Sequence, residues 1–150
     1  MNEKPIFYFD MDGTIADLYG VENWLAYLQN EDSLPYRAAA PLVDVERLCS
    51  VINLLKAEGY RFGVISWLSR SGSRAYNARV RSAKLRWLRR YFPEIFDEIH
   101  IVKYGTPKST YASQKNAWLF DDERKNREEW RENTKGRACT EKEIFEMLEW

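Results

Sequence analysis

Ile6, Phe7, Tyr8 and Phe9 form an unbroken apolar run that stops on two carboxylates, Asp10 and Asp12. An apolar run without polar alternation predicts a strand buried on both faces. Three further runs follow the same plan. Residues 62–66 end on Ser66, residues 98–102 lead into Lys103, and residues 117–120 stop on Asp121 and Asp122. Between them the period changes to that of a helix. Val45, Leu48, Cys49, Ile52 and Leu55 share one face behind a capping Asp44, with Gly59 as the stop. A second helix, from about 74 to 92, turns Tyr76, Val80, Ala83, Trp87 and Tyr91 inward and its basic residues outward, with Pro93 beyond its end. A charged segment, 123–132, reads as a short helix anchored by Trp130.

Residues 137–139 suggest a short edge strand. Thr140 and Glu143 then form a capping box for a final helix that packs Ile144, Met147 and Leu148. Residues of about 18–42 are an insertion between the first strand and the first core helix. Val21, Trp24, Leu25 and Leu28 recur there at helical spacing up to Asn30, and residues 31–35 read as a loop. Strands alternating with helices call for a parallel sheet covered on both faces, an α/β three-layer sandwich. No repeat or linker divides the chain, so residues 1–150 are expected to form one domain.

Composition narrows the class. The chain has 150 residues, 45% of them hydrophobic and 31% charged, with formally balanced charge. No apolar run approaches membrane-spanning length and no signal-peptide shape opens the chain, so no membrane partner is expected. Cys49 and Cys139 read as reduced core residues of a cytoplasmic protein. The single histidine, His100, lies in an apolar run, which makes histidine-based triads improbable. The neutral total hides an asymmetry: Arg70, Arg74, Arg79, Arg81, Lys84, Arg86, Arg89 and Arg90 occur in a stretch without one acid. Such a face can recruit phosphate-bearing ligands.

The strand endings carry the chemistry. Parallel strands bring their carboxyl ends to one edge, where open α/β sheets place their ligands. That edge would collect Asp10, Asp12, Ser66, Asp121, Asp122 and a lysine. Several carboxylates together require a cation, and an all-oxygen set suits Mg²⁺. The set also suits phosphoryl transfer: one carboxylate attacks phosphorus, another moves the proton, and lysine with Mg²⁺ offsets charge on the phosphoryl oxygens.

Asp10, Met11, Asp12, Gly13 and Thr14, placed after an apolar strand, resemble the first motif of the haloacid dehalogenase-like (HAD) superfamily. With Ala16 and Asp17 the stretch is similar to the 5'(3')-deoxyribonucleotidase branch, as is the segment from Lys84 to Phe92. The resemblance implies a Rossmann-like sheet with a minimal helical cap and a Mg²⁺-dependent phosphomonoesterase working through an aspartyl-phosphate. It makes Asp10 the nucleophile and Asp12 the general acid/base, with the Asp12 main-chain carbonyl also on the metal. Ser66 holds the phosphoryl group, Asp122 takes the metal, and Asp121 supports it, the last two being interchangeable. Lys108 is favoured over Lys103 as the motif-three lysine, with Lys115 a distant third. Gly13, Thr14, Trp67, Arg70 and Lys103 are the substrate-binding candidates, with Arg74 beside Arg70. The insertion is shorter than the cap of that branch, which leaves the site open. Trp24, Tyr27 and Tyr36 remain candidates to stack on a base. A small phosphorylated substrate, with a (deoxy)nucleotide first among them, is the expected partner. The alternatives are a nucleic-acid end-processing phosphatase and a HAD-like binding module without turnover.

Overall fold

The computed structural model of the protein describes residues 4–149. In chain order the elements are β1 (Ile6–Phe9), β2 (Ala16–Asp17), α1 (Trp24–Gln29), α2 (Leu34–Ala38), β3 (Ala40–Pro41), α3 (Val45–Ala57), β4 (Arg61–Trp67), α4 (Arg74–Tyr91), β5 (Glu98–Val102), β6 (Ala117–Phe120), α5 (Arg124–Asn133), β7 (Ala138–Cys139) and α6 (Ile144–Leu148). Short 3₁₀ turns occupy Leu18–Gly20, Lys108–Tyr111 and Glu141–Glu143. Five strands form one sheet in the order β5-β4-β1-β6-β7, every pair parallel. The chain builds outward from β1 to β5, then crosses back to place β6 on the other side of β1. That reversal lies between β1 and β6, the switch point at which Rossmann-like sheets open a crevice.

Alternation along β1 decides the two cores. Phe7 and Phe9 face one side, where they stack against Phe62 and Phe120 with centroids 5.1–6.4 Å apart. Leu48, Val51, Ile52 and Leu55 of α3, Trp87 and Leu88 of α4, and Ile144 and Leu148 of α6 close over them. Ile6 and Tyr8 face the other side, where Trp130 of α5 covers Ile65, Leu119 and Ala138. The Trp130 indole N–H donates to the Ala117 carbonyl at 2.8 Å, so its polar atom is satisfied in the core. Helices therefore flank both faces of the sheet.

Local signals worked where capping chemistry was present. Asp44 accepts from the Arg47 N–H, Gly59 turns at φ +98° after α3, and the Thr140–Glu143 capping box forms. That box opens a 3₁₀ turn before α6 rather than an α-helix directly. Three expectations fail. Leu34 and Pro35, expected at the end of a loop, instead open α2, because Pro35 sits in the first turn, where a missing N–H costs nothing. The helix expected from Val21 begins at Trp24 and buries no residue fully. Cys49 is half-buried rather than a core residue, although Cys139 is buried and both are free thiols. A small pairing that had no sequence signal, β2 with β3, ties the insertion's two ends together.

No helix among the described residues is long and apolar enough to cross a membrane. Tyr8 offers a test of the packing. Its hydroxyl bonds Glu98 at 2.9 Å and Ser113 at 3.0 Å, and its ring lies over Gly63. A Cβ at Gly63 would stand 2.7 Å from that ring. Gly63→Ala should lower stability by about 1–3 kcal/mol in urea unfolding. A wild-type midpoint would mean that Tyr8 shifts without cost.

Candidate functional site

The main-chain path after β1 is set by the Asp10 N–H donating to the Phe120 carbonyl at 2.9 Å, which seats Asp10 beside the end of β6. The chain then coils tightly: the N–H groups of Thr14, Ile15 and Ala16 all point to the Met11 carbonyl. Gly13 lies at φ +84°, and a Cβ there would stand 2.3 Å from an Asp122 carboxylate oxygen. Only glycine lets these two loops close on each other.

Asp10, Asp121 and Asp122 converge at this edge, each offering an oxygen within 4.8 Å of the others. The Lys108 ammonium, almost wholly buried, donates to Asp10 Oδ1 and Asp121 Oδ2, both at 2.8 Å. Two of its three hydrogens are thus committed and the third is left for a ligand. Lys103, by contrast, is exposed and outside the cluster. The Lys108 turn is tied on two sides. The Trp67 indole donates to the Thr106 carbonyl at 2.8 Å, and Glu129 of α5 accepts from both the Ser109 hydroxyl and its N–H. Glu129 had no sequence signal, since a charged residue on a charged helix looks solvated.

The donors on each carboxylate separate their roles. Asp121 is fully buried and accepts from Lys108, Asn126 and the Glu123 N–H. Asp122 stays partly exposed, with the Thr14 hydroxyl as a side-chain donor at 3.2 Å. The Thr14 hydroxyl also reaches Asp10 Oδ2 at 3.1 Å, and it accepts from the Asp122 N–H. With a single hydrogen, Thr14 can serve only one of the two carboxylates at a time. Asp10 and Asp122 therefore keep the unfilled lone pairs, a hard-oxygen set that fits a divalent cation, with Asp121 holding the lysine.

Asp12 does not join that cluster. Its Oδ2 accepts from Lys84 at 2.8 Å, and this corrects the expectation that every basic residue of α4 faces outward. Lys84 is buried and spends its other hydrogens on the Ser66 hydroxyl at 2.7 Å and the Trp67 carbonyl at 2.6 Å. Since Ser66 accepts from Lys84, its own O–H remains free to donate. In sequence Lys84 was hidden among arginines. The one available signal was its place beside Ala83 and Trp87 on the apolar side of the helical period.

Asp10, Asp12 and Lys108 open into a cavity of about 600 Å³. Trp67, Arg70 and Tyr104 line one wall; Tyr19, Trp24 and Tyr36 from the insertion line the other. Tyr27 does not reach it. Tyr19 packs edge-on against Trp24 at 4.9 Å, and Trp67 packs on Tyr104 at 4.8 Å. Burial, then the Asp10 charge, hold the Asp121 and Asp122 carboxyls above the usual range. Burial also raises Asp12, against the pull of Lys84. Burial alone would lower Lys108, but Asp10 and Asp121 outweigh it and hold the ammonium above its ordinary value.

A carboxyl that titrates higher in the fold than in the unfolded chain stabilises fully below the unfolded value, and that contribution is lost as pH rises through the raised one. Without metal, stability should therefore decline from about pH 4 upward. A divalent cation should raise Tm more at about pH 8 than at about pH 5. At ~100-fold above Kd the gain should be about 5–10 °C for a chain of this size. Asp122→Asn should remove the difference; equal gains at both pH values would separate the carboxylates from the metal.

No protein-family model matches this chain, and no curated protein matches it significantly. The site must be read from its own geometry.

Proposed function

We propose that the chain is a Mg²⁺-dependent phosphomonoesterase of the HAD type, acting on nucleotide-like monoesters, with α1 and α2 as a minimal cap. The observation that carries this reading is the Lys108 ammonium held 2.8 Å from both Asp10 and Asp121 at the sheet's switch point. Four carboxylates, Asp10, Asp12, Asp121 and Asp122, face two ammonium groups, Lys84 and Lys108, an excess of two negative charges when all four are ionised. Asp10 and Asp122 would hold a divalent cation, which supplies charge neutralisation for the phosphoryl oxygens and the attacking carboxylate.

An Asp10 oxygen attacks phosphorus and the ester P–O bond breaks. The departing oxygen takes the proton of the Asp12 carboxyl, whose burial keeps it protonated further up the pH scale. Water then gives a proton to the Asp12 carboxylate as it attacks phosphorus, and the bond to Asp10 breaks, releasing inorganic phosphate. The free hydrogen of Lys108, which lines the cavity, would donate to a phosphoryl oxygen, and the Ser66 O–H, fully buried beside Lys84, would be a second donor. The aromatic pairs across the cavity favour a planar leaving group such as a nucleoside.

Hydrolysis of an aryl phosphate and of nucleoside monophosphates should vanish with EDTA and return with Mg²⁺. Asp10→Asn should abolish it. Lys108→Ala should cost ~10²–10³-fold in turnover while Lys103→Ala stays near wild type. Wild-type turnover in Asp10→Asn would sink the reading.

Lys84→Met tests the proton-moving carboxylate. Removing the ammonium leaves burial and the Asp10 charge on Asp12 opposed by Lys108 alone, so its pKa should climb further. Turnover should drop by about 10²-fold and the limb of the kcat profile that Asp12 sets should move to higher pH. An unshifted profile would detach Lys84 from the chemistry.

A further inference from the structure

The exposed face of α4 has no role in the site described above, yet the helix carries six exposed arginines and no acid. α4 starts at the sheet's carboxyl edge, beside the loop of Arg70 that lines the cavity. It must run away from that edge to reach the start of the parallel neighbour β5. Its 18 residues span about 27 Å at ~1.5 Å per residue. Arg74, Arg79, Arg81, Arg86, Arg89 and Arg90 are all exposed. At about 100° per residue, Arg74 and Arg81 fall on one flank of this face, and Arg79, Arg86 and Arg90 fall on the other. Arg89 lies between them, among the short side chains Ala75, Ala78 and Ser82.

Among the described residues none of these six forms an ion pair with a carboxylate. Arg79 and Arg81 each donate one N–H to a main-chain carbonyl, of Glu31 and Ile101, and keep their charge. A surface helix ordinarily carries acids near its start and intervening acids along its length. α4 has none, and Arg74 opens it against the helix dipole.

We propose that this face binds the phosphodiester backbone of a single-stranded nucleic acid whose terminal phosphate enters the cavity. The proposal rests on the phosphomonoesterase reading for the terminal phosphate, while the binding face stands on its own geometry. Six of six exposed cations are arginines, whose planar fork suits phosphate oxygens. Arg70 and Arg74 continue the charge to the cavity mouth, where Trp67 and Tyr104 offer a stacking platform for the last base. A lipid surface fits poorly, because the exposed large apolar residues, such as Leu25, Leu54 and Ile99, lie on other elements than α4.

The test uses a fluorescein-labelled deoxyoligonucleotide of about ten residues with a terminal phosphate, which covers α4 at ~3.4 Å per nucleotide. Fluorescence anisotropy with the full chain should show binding at low salt that weakens steeply as salt rises. Arg86→Gln, Arg89→Gln and Arg90→Gln together should weaken binding at least ten-fold. They should also flatten the slope of log K against log salt by about 2, at ~0.7 per phosphate contact. These three lie about 18–24 Å along the helix from its start, so hydrolysis of an aryl phosphate should be unchanged in the triple variant. Absence of binding at low salt, or equal binding by the triple variant, would overturn the proposal. So would capture by anionic phospholipid vesicles with no shift on the oligonucleotide. Loss of aryl phosphatase activity in the wild type with arginine-dependent binding intact would instead remove the catalytic reading.

Discussion

Two buried ammonium groups beside four carboxylates set the terms for the carboxyl edge of this sheet. Charges taken out of water survive only when paired, and removing one partner of such a pair typically costs about 3–5 kcal/mol. Lys108 holds Asp10 to Asp121, and Lys84 holds Asp12 to Ser66 and Trp67. Each lysine therefore ties the ends of different strands together. β1 and β6 meet through Lys108, and β1 and β4 meet through α4 and Lys84. The groups proposed to do the chemistry are the same groups that keep the edge closed, so the charges cannot be relieved by letting the loops drift apart.

The sheet order is what makes this economy possible. β1 is central, with β4 on one side and β6 on the other; β6 ends level with β1 at Phe120, while β4 runs on past Val64 to Trp67. The stacked phenylalanines of β1, β4 and β6 lock those three strands from below. A side chain from residue 10 can thereby face one from residue 121 without any long-range loop having to fold over. The insertion adds a second wall. Glu31 accepts from the Ser73 N–H and hydroxyl at the start of α4, and the Tyr76 hydroxyl donates to the Asp32 carbonyl. The aromatic residues of that wall are thus held at a fixed distance from Trp67 and Tyr104.

Strands and helices were legible in the sequence wherever burial was complete on one or both faces. The run 117–120 and the period of α3 needed no knowledge of the rest of the chain, and the run 98–102 was legible although Ile99 stays exposed on this edge strand. The strand-end residues were legible for the same reason, since a parallel sheet aligns them whatever the loops do. The misses share a cause. The β2–β3 pairing and the anchor at Glu129 are decided by contacts between segments distant in sequence. Lys84 is the clearest case. A lysine among arginines reads as solvated, and only the position of Asp12, 72 residues away, makes its burial favourable. Lys108 was readable because a Gly and a Pro before it restrict the turn, whereas Lys84 has no such local mark.

Gly13 carries a consequence beyond its own loop. The volume that a side chain would need there is filled by the carboxylate of Asp122, contributed from the opposite end of the chain. The two positions consequently share one space, and neither can be exchanged independently of the other. A larger residue at 13 would expel the acid, while a shorter residue at 122 would free room that 13 could use. Their substitutions should therefore be epistatic, with effects in the pair differing from the sum of the single changes. Historical paths through sequence space that alter this site must then cross both positions in a particular order. The tolerance of residue 13 becomes a report on residue 122, readable without any ligand present.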